Sequence, residues 1–201
     1  MNVEVIFNEV KKHYKNENTF LVGIDGLGGA GKSTIAKEIN ELFEADNIHT
    51  EVFHLDDFIY PRKIRYNDDY PQWEQYYYLQ WKYDYFLNTV VNPVRENRVV
   101  PSIELYDKKN DKYFTVNRNI PKGSIVIIEG IFLQREELKN IFDYVIYVDV
   151  PEEERLRRVL LRDVHLGDEI AIRNKYENRY FPAEHFYVKK YNPAARANLV
   201  V

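Results

Sequence analysis

Eight residues, GLGGAGKS at 26–33, combine the residue types and the spacing of a loop that binds phosphate. Glycine reaches backbone conformations closed to other residues, so successive N–H groups can converge on phosphate oxygens. At the end of such a loop, the Lys32 ammonium would reach the outer phosphates of a triphosphate and the Ser33 hydroxyl would bind Mg²⁺. The alternative is a glycine-rich turn without a ligand. We predict a nucleotide site made of Gly26, Leu27, Gly28, Gly29, Ala30, Gly31, Lys32, Ser33 and Thr34.

Two carboxylates directly follow apolar runs that are typical of buried strands. Asp56 follows VFHL, and Glu129 follows VII. Ligands of a parallel sheet bind outside the carboxyl ends of its strands, so we expect both acids to face the crevice that holds the phosphate loop. Asp56 could then orient a hydroxyl or accept its proton, and Glu129 could join Ser33 at a metal ion. For Asp56 and its neighbour Asp57, a helix cap or a solvated strand end is the alternative.

A row of arginines lies on one predicted helix, PEEERLRRVLLRD at 151–163. Arg155, Arg158 and Arg162 share a face beside the apolar one, where they could cover a triphosphate and stabilise charge that develops during transfer. The alternative is a solvent-exposed face whose arginines pair with the glutamates at 152–154. Spacing alone slightly favours the second interpretation.

Tyrosine is the unusual component of the composition. Eight of the 17 tyrosines fall between Tyr60 and Tyr85, together with two tryptophans. These rings could line a pocket for a base or a sugar, although tyrosines at helical spacing more often belong to a core. The five histidines show no ligand spacing, and we interpret them as structural.

Apolar runs alternate with helical patterns along the chain, which indicates an α/β fold with a parallel sheet covered on both faces. The predicted strands are 19–24, 50–55, 124–130 and 144–150, with a short last strand near 197–201. The predicted helices are 3–14, 32–45, 74–91, 151–163 and 168–190. Two β-like pieces within 98–117 predict a hairpin or flap. We expect one domain over 1–201, with a lid and C-terminal helices over 151–190.

The composition narrows the functional class. The chain has 201 residues and a net charge of −4, which argues against a general nucleic-acid binder. The absence of cysteine excludes disulfides and thiolate metal sites. No run has the length of a membrane span, and the first residues lack the apolar core of a signal peptide. We therefore expect a cytoplasmic protein that acts on a small molecule, with no membrane or nucleic-acid partner; homo-oligomer formation is left open.

Taken together, the motifs resemble the uridine kinase-like branch of P-loop kinases, which includes uridine kinase, phosphoribulokinase and one type of pantothenate kinase. GIDGLGGAGKST resembles the family's phosphate loop, LDDFIY its D-[SD]-F-Y segment, IIEGI its strand ending in Glu-Gly, and RLRRVLLRD its lid signature. The resemblance implies a P-loop NTPase-type sheet and phosphoryl transfer from ATP, with Mg²⁺, to a hydroxyl of a small metabolite. It implies that Asp56 is the base, and that Lys32, Arg158 and Arg162 act on the transferred group.

The resemblance also suggests where the acceptor binds. YNDDYP is similar to a segment in which an acid contacts the sugar, and ELYDKKND is similar to a flap that carries Tyr-Asp. The expected acceptor contacts are Asp57, Tyr60, Asp69, Tyr106 and Asp107.

The flap departs from the uridine kinase pattern in one position. Uridine kinases place a histidine five residues after the flap tyrosine, whereas this chain has Asp111 there. The segment with Arg62 and Arg65 also differs from the usual insert. An acid at 111 would suit a polyol, a sugar or a cationic ring, and the two arginines would suit a phosphorylated or carboxylated acceptor. The identity of the acceptor therefore stays open.

A regulatory NTP-binding protein that phosphorylates no small molecule is the alternative function. A GTPase would need an N-K-x-D segment to read guanine, but Asn174-Lys175-Tyr176-Glu177 lacks the aspartate. A degenerate kinase kept as a scaffold would not need Lys32, Ser33, Asp56 and Glu129 together. A kinase remains the interpretation that the residues favour.

Overall fold

The computed structural model describes residues 3–96 and 102–201. Its main sheet has five parallel strands in the order β2-β5-β1-β6-β7. Their bounds are β1 Phe20–Gly26, β2 Thr50–His54, β5 Ile125–Gly130, β6 Tyr144–Val148 and β7 Leu199–Val200. The strands β3 (Ile103–Asp107) and β4 (Lys112–Val116) form a separate antiparallel hairpin. The predicted hairpin within 98–117 is confirmed over these strands, and residues 98–101 lie outside the described part.

Helices cover both faces of the main sheet. Their bounds are α1 Val3–His13, α2 Lys32–Ala45, α3 Arg62–Arg65, α4 Gln72–Tyr78, α5 Tyr83–Phe86, α6 Asn92–Arg95, α7 Glu152–Arg162, α8 Glu169–Lys175, α9 Phe181–Tyr191 and α10 Pro193–Arg196. A π-helical turn at Leu87–Val91 joins α5 to α6, and a second one at Tyr176–Tyr180 joins α8 to α9.

Successive residues of each strand are buried on alternate faces of the sheet, which explains why the strand sequences are continuously apolar. Val22 and Ile24 pack with α1 and α2 on one face, whereas Leu21, Val126 and Ile128 pack with α4 to α6 and α9 on the other. Successive strand side chains point to opposite faces, so a strand covered on both sides must be apolar at every position. The predicted parallel α/β sheet is confirmed.

The single helix predicted over 74–91 is wrong. The chain leaves the helix after Tyr78 and re-enters one at Tyr83. Between them, the backbone pairs with 58–60: the Tyr60 amide donates to the Gln80 carbonyl at 2.9 Å, and the Lys82 amide donates to the Phe58 carbonyl at 2.8 Å. These long-range hydrogen bonds replace the helical ones, and the apolar stripe is buried as two shorter pieces.

A buried carboxylate at the end of β1 connects the sheet to α9. Asp25 is fully buried and accepts hydrogen bonds from the Tyr187 hydroxyl at 2.5 Å and the Gly26 amide at 2.8 Å. The Gln134 side chain at 3.1 Å and the Leu133 amide at 3.3 Å complete the set. Because Asp25 directly precedes the phosphate loop, these bonds fix where the loop begins.

Replacing Asp25 with alanine should therefore destabilise the fold. The D25A variant leaves buried donors without an acceptor, and we expect it to lose about 2–4 kcal/mol in the free energy of unfolding, measured by chemical denaturation. The matched control is D46A, because Asp46 is exposed and pairs with Lys11 at 2.6 Å. Such surface pairs contribute about 0–1 kcal/mol. Equal losses in the two variants would contradict the role given to Asp25.

Candidate active site

The phosphate loop joins β1 to α2 and depends on glycine for its shape. Gly29 has a φ of +82°, and a Cβ there would lie 2.9 Å from the Arg155 carbonyl oxygen. Gly31 has a φ of +100° and directly precedes α2. Left-handed backbone of this kind strains other residues. The loop geometry thus leaves its amides at the N-terminus of a 14-residue helix, where an anion is favoured.

The end of the loop meets the end of β5. The Ser33 hydroxyl donates to Glu129 Oε1 at 3.1 Å, and Glu129 is opposite Ile24 in the sheet register. Hydroxyl and carboxylate oxygens are ligands that Mg²⁺ prefers. No cluster of three or more potential metal ligands occurs in 3–96 or 102–201. The pair fits Mg²⁺ in its usual mode, in which nucleotide phosphates and water complete the coordination.

His54 is a neighbour of this pair that sequence spacing did not single out. It ends β2 opposite Glu129, and its Nδ1 lies 2.5 Å from Glu129 Oε1. The hydrogen bond to Glu129 raises the pKa of His54, against the opposing effect of burial. Our interpretation of the histidines as structural therefore overlooked a contact at the predicted metal site.

Asp56 follows β2 in a short 3₁₀ turn, Leu55–Asp57, and its side chain is about half exposed (48%). Lys108 Nζ, from the turn of the β3–β4 hairpin, lies 3.0 Å from Asp56 Oδ2. Desolvation acts to raise the pKa of Asp56, but Lys108, Lys32 and Arg162 hold it below its ordinary value. Asp56 is thus an ionised acceptor at neutral pH.

One cavity of about 790 Å³ contains most of the predicted chemistry. Among the residues that sequence predicted, it is lined by Gly28, Gly29, Lys32, Ser33, Asp56, Glu129 and Arg162. An adjoining space of about 260 Å³ is lined by Gly29, Gly31, Lys32, Ser33, Thr34, Arg158 and Arg162. The structure therefore brings together a phosphate loop, the two strand-end acids and two of the arginines.

The arginine row divides between the two interpretations given above. Arg158 pairs with Glu154 at 2.8 Å on the helix surface, yet also approaches the Ala30 carbonyl of the phosphate loop at 3.3 Å. Arg162 pairs with Asp163 at 2.6 Å and lines both cavities. Arg158 and Arg162 thus form ion pairs with acidic neighbours, as the second interpretation expects, and also lie close to the phosphate loop, as the first one expects.

Arg155 has a different role from its neighbours. It is buried, with 3% of its side chain exposed, and pairs with the buried Glu184 at 2.7 Å. Arg155 also donates to the Gly28 carbonyl at 3.0 Å, while the Gly28 amide donates to Glu184 at 2.9 Å. The buried pair therefore holds both the carbonyl and the amide of Gly28 in the phosphate loop. The sequence did not indicate Glu184 as a neighbour of the site.

The predicted acceptor contacts lie apart from the cavity lining. Asp57, Tyr60, Asp69, Tyr106 and Asp107 are all outside it. Asp69 is exposed, and Asp107 accepts from the Lys109 amide at 2.8 Å and the Asn110 side chain at 2.6 Å within the hairpin turn.

Asp111 is also occupied by structural contacts. It accepts from the Arg62 amide at 3.0 Å and from the Tyr106 hydroxyl, so it ties the hairpin to α3. Around Asp56 the cavity is lined by Arg62 and Arg65, the two arginines that the sequence suggested for a phosphorylated or carboxylated acceptor. Tyr66 and Tyr76, from the aromatic stretch, also line it, together with side chains that the sequence did not indicate: Lys108, Lys109, Lys175 and Arg179.

Comparison with known proteins places this geometry in a family. A sequence profile described as an AAA domain matches residues 22–180. A uridine kinase from Clostridium novyi is 32% identical over 155 residues, which is 72% of this chain and 68% of that protein. The chain belongs to the uridine kinase-like family of P-loop kinases. The family and the fold predicted from the sequence are therefore confirmed.

Solved structures agree with the assignment. The kinase resembles a possible uridine kinase from Bacillus stearothermophilus with a TM-score of 0.81 and 27% identity, over 98% of this chain and 96% of that one. A D-glycerate 3-kinase from Cryptococcus neoformans matches with a TM-score of 0.65 over 90% of this chain and 84% of that one. At 12% identity, that likeness shows the fold alone. In residues 3–96 and 102–201, the kinase has no helix with the length and apolarity to cross a membrane.

The contact between Lys108 and Asp56 leads to a test by titration. Lys108 lowers the pKa of Asp56 and desolvation raises it, so the K108M variant should move this pKa upward. The measurement is an NMR titration of the Asp56 side-chain carboxyl. K109M is the matched control, because Lys109 lines the same cavity but is not among the main causes of the shift. An unchanged pKa in K108M, or equal shifts in both variants, would contradict the assigned contact.

Proposed function

We propose that the protein transfers the γ-phosphoryl group of ATP to a hydroxyl of a small metabolite such as a nucleoside, a pentose or a related alcohol. The observation that carries the proposal is the shared cavity of Asp56, Lys32, Ser33 and Glu129. A nucleotide switch would need the phosphate loop but no carboxylate for an acceptor hydroxyl. The uridine kinase from Clostridium novyi supports a kinase of this type.

In the proposed reaction, the acceptor hydroxyl hydrogen-bonds to Asp56, which orients it toward the γ-phosphorus. The new bond forms between acceptor oxygen and phosphorus while the bond to the bridging oxygen of ADP breaks, and Asp56 receives the hydroxyl proton. The lowered pKa of Asp56 keeps it ready to accept a hydrogen bond, and suits a loose transition state in which proton transfer is late.

The remaining roles follow from charge. Lys32 and the loop amides would bind the β- and γ-phosphates. Ser33 and Glu129 would hold Mg²⁺, which when bound offsets phosphate charge. Arg158 and Arg162 would approach the transferred group from α7, and closure of the segment from α7 to α9 would exclude water, whose attack is the competing reaction.

Uridine itself should be a poor acceptor. The carboxylate of Asp111 stands where uridine kinases have a base-reading histidine, and its hydrogen bonds to the Arg62 amide and Tyr106 engage it within the protein. We expect a kcat/KM for uridine below about 10⁴ M⁻¹s⁻¹, the lower end of the usual enzyme range. ADP release with uridine, corrected for release without an acceptor, measures it. A higher kcat/KM would contradict this prediction and would favour uridine as the acceptor.

The central role of Asp56 is tested by D56N, which keeps the shape of the side chain but removes its basicity. We expect phosphoryl transfer to fall by about 10²- to 10⁴-fold, with ATP affinity nearly retained because the loop is untouched. The assay is acceptor-dependent ADP release, using the best acceptor from a screen of nucleosides, pentoses, pantothenate and sugar phosphates. The control is D84N, because Asp84 is exposed and lies outside the cavity. Wild-type turnover in D56N would remove Asp56 from the mechanism.

A further inference from the structure

The cavity around Asp56 is strongly cationic in an acidic protein. In the described part of the chain, eight lysine and arginine side chains line it: Lys32, Arg62, Arg65, Lys108, Lys109, Arg162, Lys175 and Arg179. The chain as a whole has a net charge of −4. A concentration of positive charge in one cleft of an acidic protein raises the local concentration of anions.

The four acids that line the same cavity are already engaged. Asp56 pairs with Lys108, and Asp163 pairs with Arg162. Glu184 pairs with Arg155, which is outside the lining. Glu129, the fourth acid, contacts Ser33 and His54. Within 3–96 and 102–201, no carboxylate forms an ion pair with the cationic side chains of Arg62, Arg65, Lys109, Lys175 or Arg179.

Arg179 gives the sharpest indication of a missing partner. Only 2% of the residue is exposed, and its Nη1 donates to the Gln72 carbonyl at 3.1 Å and to Gln75 Oε1 at 3.2 Å. Its Nη2 is buried and has no hydrogen-bond partner among the described residues. A guanidinium stays charged in proteins, and a buried donor left without an acceptor costs free energy. The two hydrogen bonds to α4 involve Nη1 alone and leave Nη2 without an acceptor among the described residues.

A second buried guanidinium, that of Arg65, contacts the same tyrosine ring as Arg179. Arg65 is 6% exposed, and its Nε donates to the Tyr60 carbonyl at 2.5 Å. The Tyr66 ring lies 5.4 Å from the Arg65 guanidinium carbon and 4.5 Å from that of Arg179. Arg65 Nη2 also donates to the Tyr106 hydroxyl at 3.2 Å, and the Arg65 charge interacts with the carboxylate of Asp111 without forming an ion pair. Two buried like charges thus contact one ring, and a cation–π contact does not neutralise a charge.

We propose that the acceptor carries an anionic group, phosphate or carboxylate, that binds to the cavity-lining guanidinium groups of Arg179 and Arg65 while its hydroxyl lies at Asp56. This rests on the proposed kinase function and specifies its substrate class. The forked guanidinium donors match the paired oxygens of either anion. Lys109 and Lys175, which line the same cavity, add positive charge. A neutral nucleoside would leave these charges without a partner, so the site discriminates against it.

The test compares acceptors with and without an anionic group. The full chain is assayed with ATP and Mg²⁺ against ribose 5-phosphate, glycerate, ribose and uridine. We expect ribose 5-phosphate or glycerate to exceed the neutral acceptors in kcat/KM, and the better of the two identifies the anion. A neutral acceptor that equals or exceeds both overturns the proposal.

The variant R179M isolates the guanidinium. It should raise KM for the anionic acceptor roughly 10- to 100-fold, the effect of losing a hydrogen bond to a charged group, while KM for ATP and for ribose stays unchanged. R179K should recover part of the loss, because it restores the charge without the fork. The control is R173M, since Arg173 lies on α8, pairs with Glu169 at 2.7 Å and is outside the cavity. Equal effects of R179M on anionic and neutral acceptors would contradict the assignment.

Two further measurements separate the possible failures. Thermal unfolding shows whether R179M folds; if it does not, K175M replaces it, because Lys175 lines the cavity from the end of α8.

If no acceptor stimulates ADP release, the kinase proposal fails. Calorimetry of ribose 5-phosphate and glycerate, with protein loaded with ADP and Mg²⁺, then tests the anion site alone. Binding of either anion that is lost in the variant supports the site, and absence of binding of both to the wild type overturns it.

Discussion

The parallel register of three strands is the constraint on which the active site depends. β1 and β2 flank β5, and both Ile24 and His54 are opposite Glu129. The three strands therefore end at the same edge of the sheet. This places the phosphate loop after β1 and Asp56 after β2 next to Glu129. A slip of one residue would turn Glu129 to the other face of the sheet. Because both faces are buried, the core resists such a slip, and the site geometry is held by apolar packing.

The loop and the acids could be predicted because their local sequence carries both structure and chemistry. Helix α2 was predicted over the residues that it occupies, 32–45, since the glycine-rich turn marks its start and the apolar period marks its face. Asp56 and Glu129 end apolar runs, and in a parallel sheet that position alone directs them to the ligand edge. No long-range contact had to be known for these inferences.

The parts played by Glu184 and Arg179 could not be predicted in this way, because their contacts join distant segments. Gly28 and Glu184 are hydrogen-bonded across 156 positions in the sequence, and Arg179 and Gln75 across 104. Motif positions also do not show how the local backbone binds a side chain. Asp107 and Asp111 have acidic side chains in a flap, as expected, and the structure adds that Asp107 accepts from amides of the hairpin turn and that Asp111 Oδ1 accepts from the Arg62 amide. The continuous helix over 74–91 failed for the same reason, since backbone pairing with 58–60 is absent from any local pattern.

Arg179 lies in an irregular helical turn that local sequence does not predict and that lines the cavity. Arg179 lies in the π-helical turn Tyr176–Tyr180, between α8 and α9. Such a turn adds a residue to the helical repeat and often marks a functional site. Tyr176, Arg179 and Tyr180 all line the cavity from this one turn. An irregular helix and a buried guanidinium whose Nη2 has no hydrogen-bond partner among the described residues both reduce stability. Such departures from regular structure are expected at functional sites. An anion bound there would accept a hydrogen bond from Nη2 and would add negative charge near Arg65. Binding would therefore offset the unfavourable free energy of the unsatisfied donor and of the buried charge.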